Sequence, residues 1–400
     1  MICQHFWPEE FRINDICKSL VEMGYEVDVI SGIPNYPHGR YFDGYSAFKK
    51  RMDNYEGINI YRSFVIPRGN GNPIQIFMNY ISYPIFSISK LLKLRKRKYD
   101  RVLVYQLTPV FMAYPAILAK KLFKIKSYIY IQDLWPESLY SVYDFKSKCL
   151  KKIFDKISIH IYKQFDFYLT TSKGIKKKIE SEFGIRGYKV FYLPNWAEDF
   201  YEVNREDENL INKYKDTFNV VFAGNIGPAQ SFETILEAAK NCKLRGYSKI
   251  KWLIIGDGMT KEWAENQVAK LGISDVVEFI GRKPAASMPE YYNVSDVLLV
   301  SLVKSDLFSI TIPSKVQSYL ASGKPIIASL DGEGADIILE SKSGLVSSSG
   351  DSEKLAENAI KMYLMDKEEL DTMGNNASKY YKTHFKKNVV LENLVNILQK

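Results

Sequence analysis

The chain has 400 residues, 46% of them hydrophobic and 25% charged, which excludes a disordered protein and is too long for one α/β core; two domains of ordinary size fit. The net charge of +9 is lopsided: residues 1–200 carry 31 Lys/Arg against 19 Asp/Glu, or +12, and residues 201–400 carry 24 against 27, or −3. Four scattered cysteines (Cys3, Cys17, Cys149, Cys242) show no metal-ligand spacing and suit a reducing cytoplasm, and neither a solenoid repeat nor a low-complexity tract is present.

The chain opens Met1-Ile-Cys-Gln-His5 and soon meets charge, which does not read as a signal peptide. Its first apolar strand is only about four residues long, so translation of the natural gene is expected to start slightly upstream. Apolar runs then predict strands over 27–31, 58–62, 101–106, 127–131, 167–171 and 190–193, and helical spacing predicts helices over 13–23, 110–122 and 174–183. The second half repeats this logic. Strands are expected over 219–223, 251–255, 276–280, 297–301 and 325–328, with helices over 231–244, 261–271, 288–293, 314–321 and 351–365. Such alternation implies two doubly wound parallel sheets, hence two facing Rossmann-like α/β domains with ligands in the crevice between them. The polar stretch 197–215 reads as the hinge. It sets an N-terminal domain at 1–196 and a C-terminal domain at 197–379, with a last helix, 380–400, packing back on the first.

Two segments of the basic half stand apart. Residues 73–98 carry Phe77, Ile81, Ile85, Ile88 and Leu92 at helical spacing and end in Lys93-Leu-Arg-Lys-Arg-Lys98; residues 148–163 set Ile153, Ile157 and Ile161 against Lys151, Lys152 and Lys156. Both are too polar for a membrane span, and each reads either as an interfacial helix or as a core-facing stripe. No zinc, RNP or helix-turn-helix signature accompanies the positive charge, which favours an anionic membrane surface over nucleic acid as partner.

The richest segment runs from Phe308-Ser-Ile-Thr-Ile-Pro-Ser-Lys315 to Gly323-Lys-Pro325. Ser314 and Gln317 have capping-box spacing, so a helix is expected to start at Ser314 and to stop at Gly323. Free N–H groups, the Ser314 hydroxyl and the Lys315 cation then meet at one helix end, which suits either a bound diphosphate or a merely well-capped helix.

The order of loops adds a resemblance. Gly224-Asn-Ile-Gly-Pro-Ala-Gln230, Ile255-Gly-Asp-Gly258, Phe279-Ile-Gly-Arg-Lys-Pro284, the Thr311–Lys315 segment and Asp331-Gly-Glu-Gly334 together resemble the donor domain of family 4 glycosyltransferases, which have the GT-B fold. Gly32-Ile-Pro-Asn-Tyr-Pro-His-Gly39 and Ile131-Gln-Asp-Leu-Trp-Pro-Glu-Ser138 look like the subgroup building O-antigen, capsule and colanic-acid chains, including fucosaminyl transferases. The resemblance implies a retaining, metal-independent hexosyltransferase without a cofactor. It would move a sugar, such as an N-acetylated 6-deoxyhexose, from a UDP-sugar to a polyprenyl-diphosphate-linked saccharide. It would work in the cytoplasm, on the inner face of the bacterial membrane.

Donor contacts implied by the resemblance fall at Gly224, Asn225, Gly227, Gln230, Gly256, Thr311, Ser314 and Lys315. The family's usual Arg and Lys of the first donor loop fall at Asn225 and Gln230, and its paired glutamates at Ile310 and Ser318, so neither pair is present. The phosphate role then passes to Lys315, Arg282, Lys283 and Arg12. Asp133, past a buried strand, would orient the donor sugar or take the acceptor's proton, or else cap the turn after it. Glu137 is a second catalytic candidate, or a helix-dipole partner in a first turn. His5, Asn35 and His38 are acceptor-side candidates. A nucleotide-sugar 2-epimerase of the same fold and a non-catalytic assembly scaffold remain alternatives.

Overall fold

The computed structural model describes residues 1–140 and 147–400. It divides into two compact units, one formed by Met1–Leu193 with Leu391–Lys400 and the other by Pro194–Val390.

In the first unit the strands are β1 (Asp28–Gly32), β2 (Met52–Tyr55), β3 (Ile58–Ser63), β4 (Arg101–Gln106), β5 (Lys126–Ile131), β6 (Phe167–Thr170) and β7 (Val190–Tyr192). They form two ladders, β1-β3-β2 and β4-β5-β6-β7. Ile2 bridges both, pairing with Ile30 of β1 and Val104 of β4. The opening residues thus fill the central position: Ile2 N donates to Leu103 O at 2.9 Å and Gly32 N to Gln4 O at 2.9 Å. The chain leaves this position first toward β1 and then toward β4, so the strand order reverses at His5. The sheet is not wholly parallel as expected, because β2 runs antiparallel to β3 at the edge. A short hairpin joins them, which parallel strands cannot use.

The second unit contains β8 (Phe218–Ala223), β9 (Ile250–Ile255), β10 (Val277–Gly281), β11 (Val297–Ser301), β12 (Ile326–Ser329) and β13 (Gly344–Ser347). All are parallel, in the order β10-β9-β8-β11-β12-β13. Every residue of β8 and β11 is buried, as expected for strands covered by helices on both faces. The order reverses between β8 and β11, and a doubly wound sheet binds ligands beyond the strand ends at such a point.

Residues 197–215, read from the sequence as the hinge, include the Glu208–Tyr214 helix, capped by Asp207, and lie within the second unit. The helix expected to begin at Ser314 does begin there and runs to Ser322, but Pro313 is its N-cap and no side chain caps it, so the expected capping box is not formed. The Gln317 amide donates instead to Asn195 O at 2.9 Å. Finally, 73–98 is helical only over Pro73–Lys93.

Candidate functional site

In the second unit the ends of β8, β9 and β10 are stitched together by backbone bonds. Gly224 N donates to Ile255 O at 2.9 Å, Ile226 N to Asp257 O at 2.9 Å, and Gly256 N to Gly281 O at 3.0 Å. The loops approach so closely that a Cβ on Gly256 would lie 1.8 Å from Gly224 O, and one on Gly258 2.3 Å from Ile226 O. These glycines are therefore steric necessities of the strand-end layer. Gln230 belongs to the same loop, its Oε1 accepting from Gly227 N at 3.2 Å.

Beyond β8 and β11 lies a cavity of about 240 Å3, lined among others by Gln230, Ser301, Thr311, Ser314 and Lys315. Ser314 and Lys315, the first two residues of the Ser314–Ser322 helix, line it, and no side chain caps that helix end. The Lys315 side chain runs beneath Gly224 and over Phe222, with Nζ 4.7 Å from that ring's centre. Burial lowers its pKa to about 8, and no carboxylate among the described residues offsets the shift. Ser301, 1% exposed, lines the same cavity with an Oγ that has no hydrogen-bond partner. A cation short of an anion, a donor short of an acceptor and a helix N-terminus converge on one space. That is the chemistry of an anion site.

The sequence placed Gly224, Gly227, Gly256, Gln230, Thr311, Ser314 and Lys315 at this layer, and the structure gathers them. Asn225 is exposed, with its amide packed against Gly227 and Gly258. Arg282 and Lys283 do not join the cavity; both are exposed in the turn after β10. Ser301 was missed, because a lone serine ending an apolar strand carries no signal until its neighbours are known.

In the first unit the edge beyond β4 and β5 holds Asp133. Its carboxylate accepts from the Thr108 backbone and hydroxyl, yet burial prevails and raises its pKa. Thr108 Oγ1 lies 2.9 Å from Ser138 Oγ. Arg12 and Asp133 act with opposite sign on the Tyr105 hydroxyl, so the two candidates share one neighbourhood. Glu137 is held by an ion pair with Lys178 at 3.1 Å, an arrangement suited to anchoring the turn.

His5 is buried, stacked on Phe11 at 5.0 Å, with Nδ1 at 3.1 Å from both Glu9 carboxylate oxygens. The same Glu9 accepts from the backbone N–H groups of Phe6, Asn35 and Tyr36. Glu9 therefore organises this loop, and sequence reasoning passed over it; its only signal was the four-residue spacing from His5. Asn35 is buried and occupied, its amide donating to Ile33 O and accepting from Asn79. His38 is exposed near Phe42.

Comparison with known proteins agrees with this layout. Residues 10–198 match the Glycosyltransferase Family 4 model, and residues 203–380 match the model of Glycosyl transferases group 1. The putative colanic acid biosynthesis glycosyl transferase WcaI of Escherichia coli is 25% identical over 337 residues, covering 80% of each chain. The probable glycosyltransferase WbjE of Pseudomonas aeruginosa is 27% identical over 290 residues, covering 68% of each. Anabaena Alr3699/HepE, solved in complex with UDP, superposes with a TM-score of 0.70 at 13% identity, over 99% of this chain and 98% of that one. The two halves thus match, in order, the two domains of one enzyme class, and the chain is a family 4 glycosyltransferase with the GT-B fold.

Proposed function

We propose that this enzyme transfers a hexose-type sugar, with retention and without a metal, from a UDP-sugar to a polyprenyl-diphosphate-linked saccharide. The product would be a cell-surface polysaccharide precursor, made by a cytoplasmic enzyme held peripherally at the inner membrane face. An N-acetylated 6-deoxyhexose such as fucosamine is the first donor to test. The observation that carries the reading is the buried, uncompensated Lys315 at the helix N-terminus beyond β8 and β11. Departure of a nucleoside diphosphate leaves charge on its terminal phosphate, and fixed donors and a desolvated cation stabilise such charge as it develops. At an effective dielectric of ~20, a charge pair at ~4 Å contributes about 4 kcal/mol. Realised only in the transition state, that is roughly a thousandfold in rate. The names of the WcaI and WbjE relatives support the polysaccharide setting, and the UDP in HepE supports the nucleotide.

In the first unit, Asp133 would take the proton of the acceptor hydroxyl; its raised pKa, which favours proton uptake, supports that role. The test incubates the protein with a panel of UDP-sugars, with and without polyprenyl-diphosphate-linked saccharide. UDP release that requires acceptor supports transfer. Interconversion of the sugar without acceptor would indicate an epimerase, and no turnover across the panel would point to a scaffold.

A further inference from the structure

The Pro73–Lys93 helix is inverted relative to an ordinary surface helix. Its protein-facing side includes Asn79, Ser82, Ser87 and Lys90, all buried. Two of them bond outside the helix, Asn79 Nδ2 donating to Ile66 O at 2.6 Å and Ser82 Oγ accepting from Ile66 N at 3.0 Å, while Ser87 Oγ donates within the helix to Pro84 O at 3.0 Å. The outward side carries the apolar residues. Ile74 is 72% exposed, Phe77 56% and Ile85 57%, and Met78, Ile88 and Leu92 are exposed with them. Positions 74, 77, 78, 81, 85, 88 and 92 lie on one helical face. Water is the wrong solvent for that face, and an apolar surface of such extent marks an interaction site.

Charge decides what covers it. No acidic residue lies between Glu56 and Asp100, and the helix runs into exposed Lys93, Arg95, Lys96 and Lys98. Among the described residues it is Arg97 that is neutralised there, by Asp28 at 2.6 Å. The 148–162 helix packs, like this one, on the Val110–Ala113 turn and shows exposed Lys152, Ile153 and Lys156. A second copy would bring the same positive charge to the contact, whereas an anionic bilayer complements both the charge and the apolar stripe. Among the described residues no helix is long and apolar enough to cross a membrane. We infer that the Pro73–Lys93 helix lies in the plane of an anionic bilayer surface, its stripe at the headgroup–acyl boundary and its basic end on the headgroups.

This inference rests on the lipid-linked acceptor reading for its purpose, but its test uses neither donor nor acceptor. The full chain is sedimented with vesicles of phosphatidylcholine alone or mixed with phosphatidylglycerol. Wild type should bind the mixed vesicles about tenfold better than phosphatidylcholine alone. The Phe77→Ser/Ile85→Ser variant should lose about tenfold on mixed vesicles, and Lys96→Ser/Lys98→Ser should fall to the level seen on phosphatidylcholine. Both should keep the wild-type melting curve, since all four side chains are exposed. Binding that neither variant alters would overturn the inference. So would wild-type self-association, without vesicle binding, that Phe77→Ser/Ile85→Ser abolishes. Vesicle binding by a chain that transfers no sugar would leave docking standing and remove the functional reading; transfer without vesicle binding would do the reverse.

Discussion

Lys315 is where sequence and structure concentrate the chemistry. Its ammonium is buried against Phe222 and Gly224 and has a pKa near 8 in place of the usual lysine value of 10.5. The unfolded chain therefore binds more protons than the folded one between about pH 8 and 10.5, and the burial cost, complete below pH 8, is relieved as pH rises through that window. A diphosphate acts in the opposite sense, since it favours the charged lysine. UDP affinity measured by calorimetry should thus be highest below pH 8 and fall above it, and Lys315→Met should bind more weakly with a flat profile. Lys315→Ala should lower the transfer rate at least about tenfold without unfolding the protein, read from initial rates beside a circular dichroism melt. Gly224→Ala tests the seat of that lysine. Its Cβ would lie 2.7 Å from both Cε and Nζ, at a φ of 142° that side chains rarely adopt. Displacing the flexible lysine end is easier than moving the strands, so the expected loss is larger in transfer rate than in melting temperature.

At the scale of elements, the Ser314–Ser322 helix was legible in outline. Gly323 ends it in the left-handed region, at φ 67°, as its position after the apolar run implied. A Cβ there would meet only Ser378 Cβ at 3.5 Å and Gly374 O at 3.6 Å, so strain dominates. Gly323→Ala should cost about 1 kcal/mol, seen as a drop of a few degrees in the melt. The helix starts at Ser314 as expected, but the spacing of Ser314 and Gln317 does not by itself make a capping box: Pro313 takes the cap, and Gln317 finds a carbonyl on Asn195. The Pro73–Lys93 helix shows a different limit. Its periodicity was plain, but a period fixes which side chains share a face and not which face meets the protein. Here Asn79 and Ser82 find partners on Ile66, outside the helix, and Ser87 is buried, so the apolar face turns outward.

For the whole molecule, the main tertiary feature is the chain's end, Leu391–Lys400, which lies in the first unit. Leu391, Leu394 and Ile397 are buried, and Leu398 O accepts from Arg101 Nε at 3.0 Å and the Tyr128 hydroxyl at 3.2 Å, on strands of the first unit. Leu394→Ala should cost about 2–4 kcal/mol, and the loss should fall on the first unit. Limited proteolysis read by mass spectrometry should then show earlier cleavage within 1–193 than within 194–390.

By itself the sequence determined the alternation of strands and helices, the glycine-bearing loops of the second unit and the place of Lys315, because periodicity and steric demand are local properties. Three things waited for the tertiary structure: the reversal of strand order at His5 and between β8 and β11, the pairing of Glu9 with His5, and the convergence of Ser301 with Lys315 on one cavity. Each depends on which distant segments lie side by side, and burial and hydrogen bonding settle that over the folded unit as a whole.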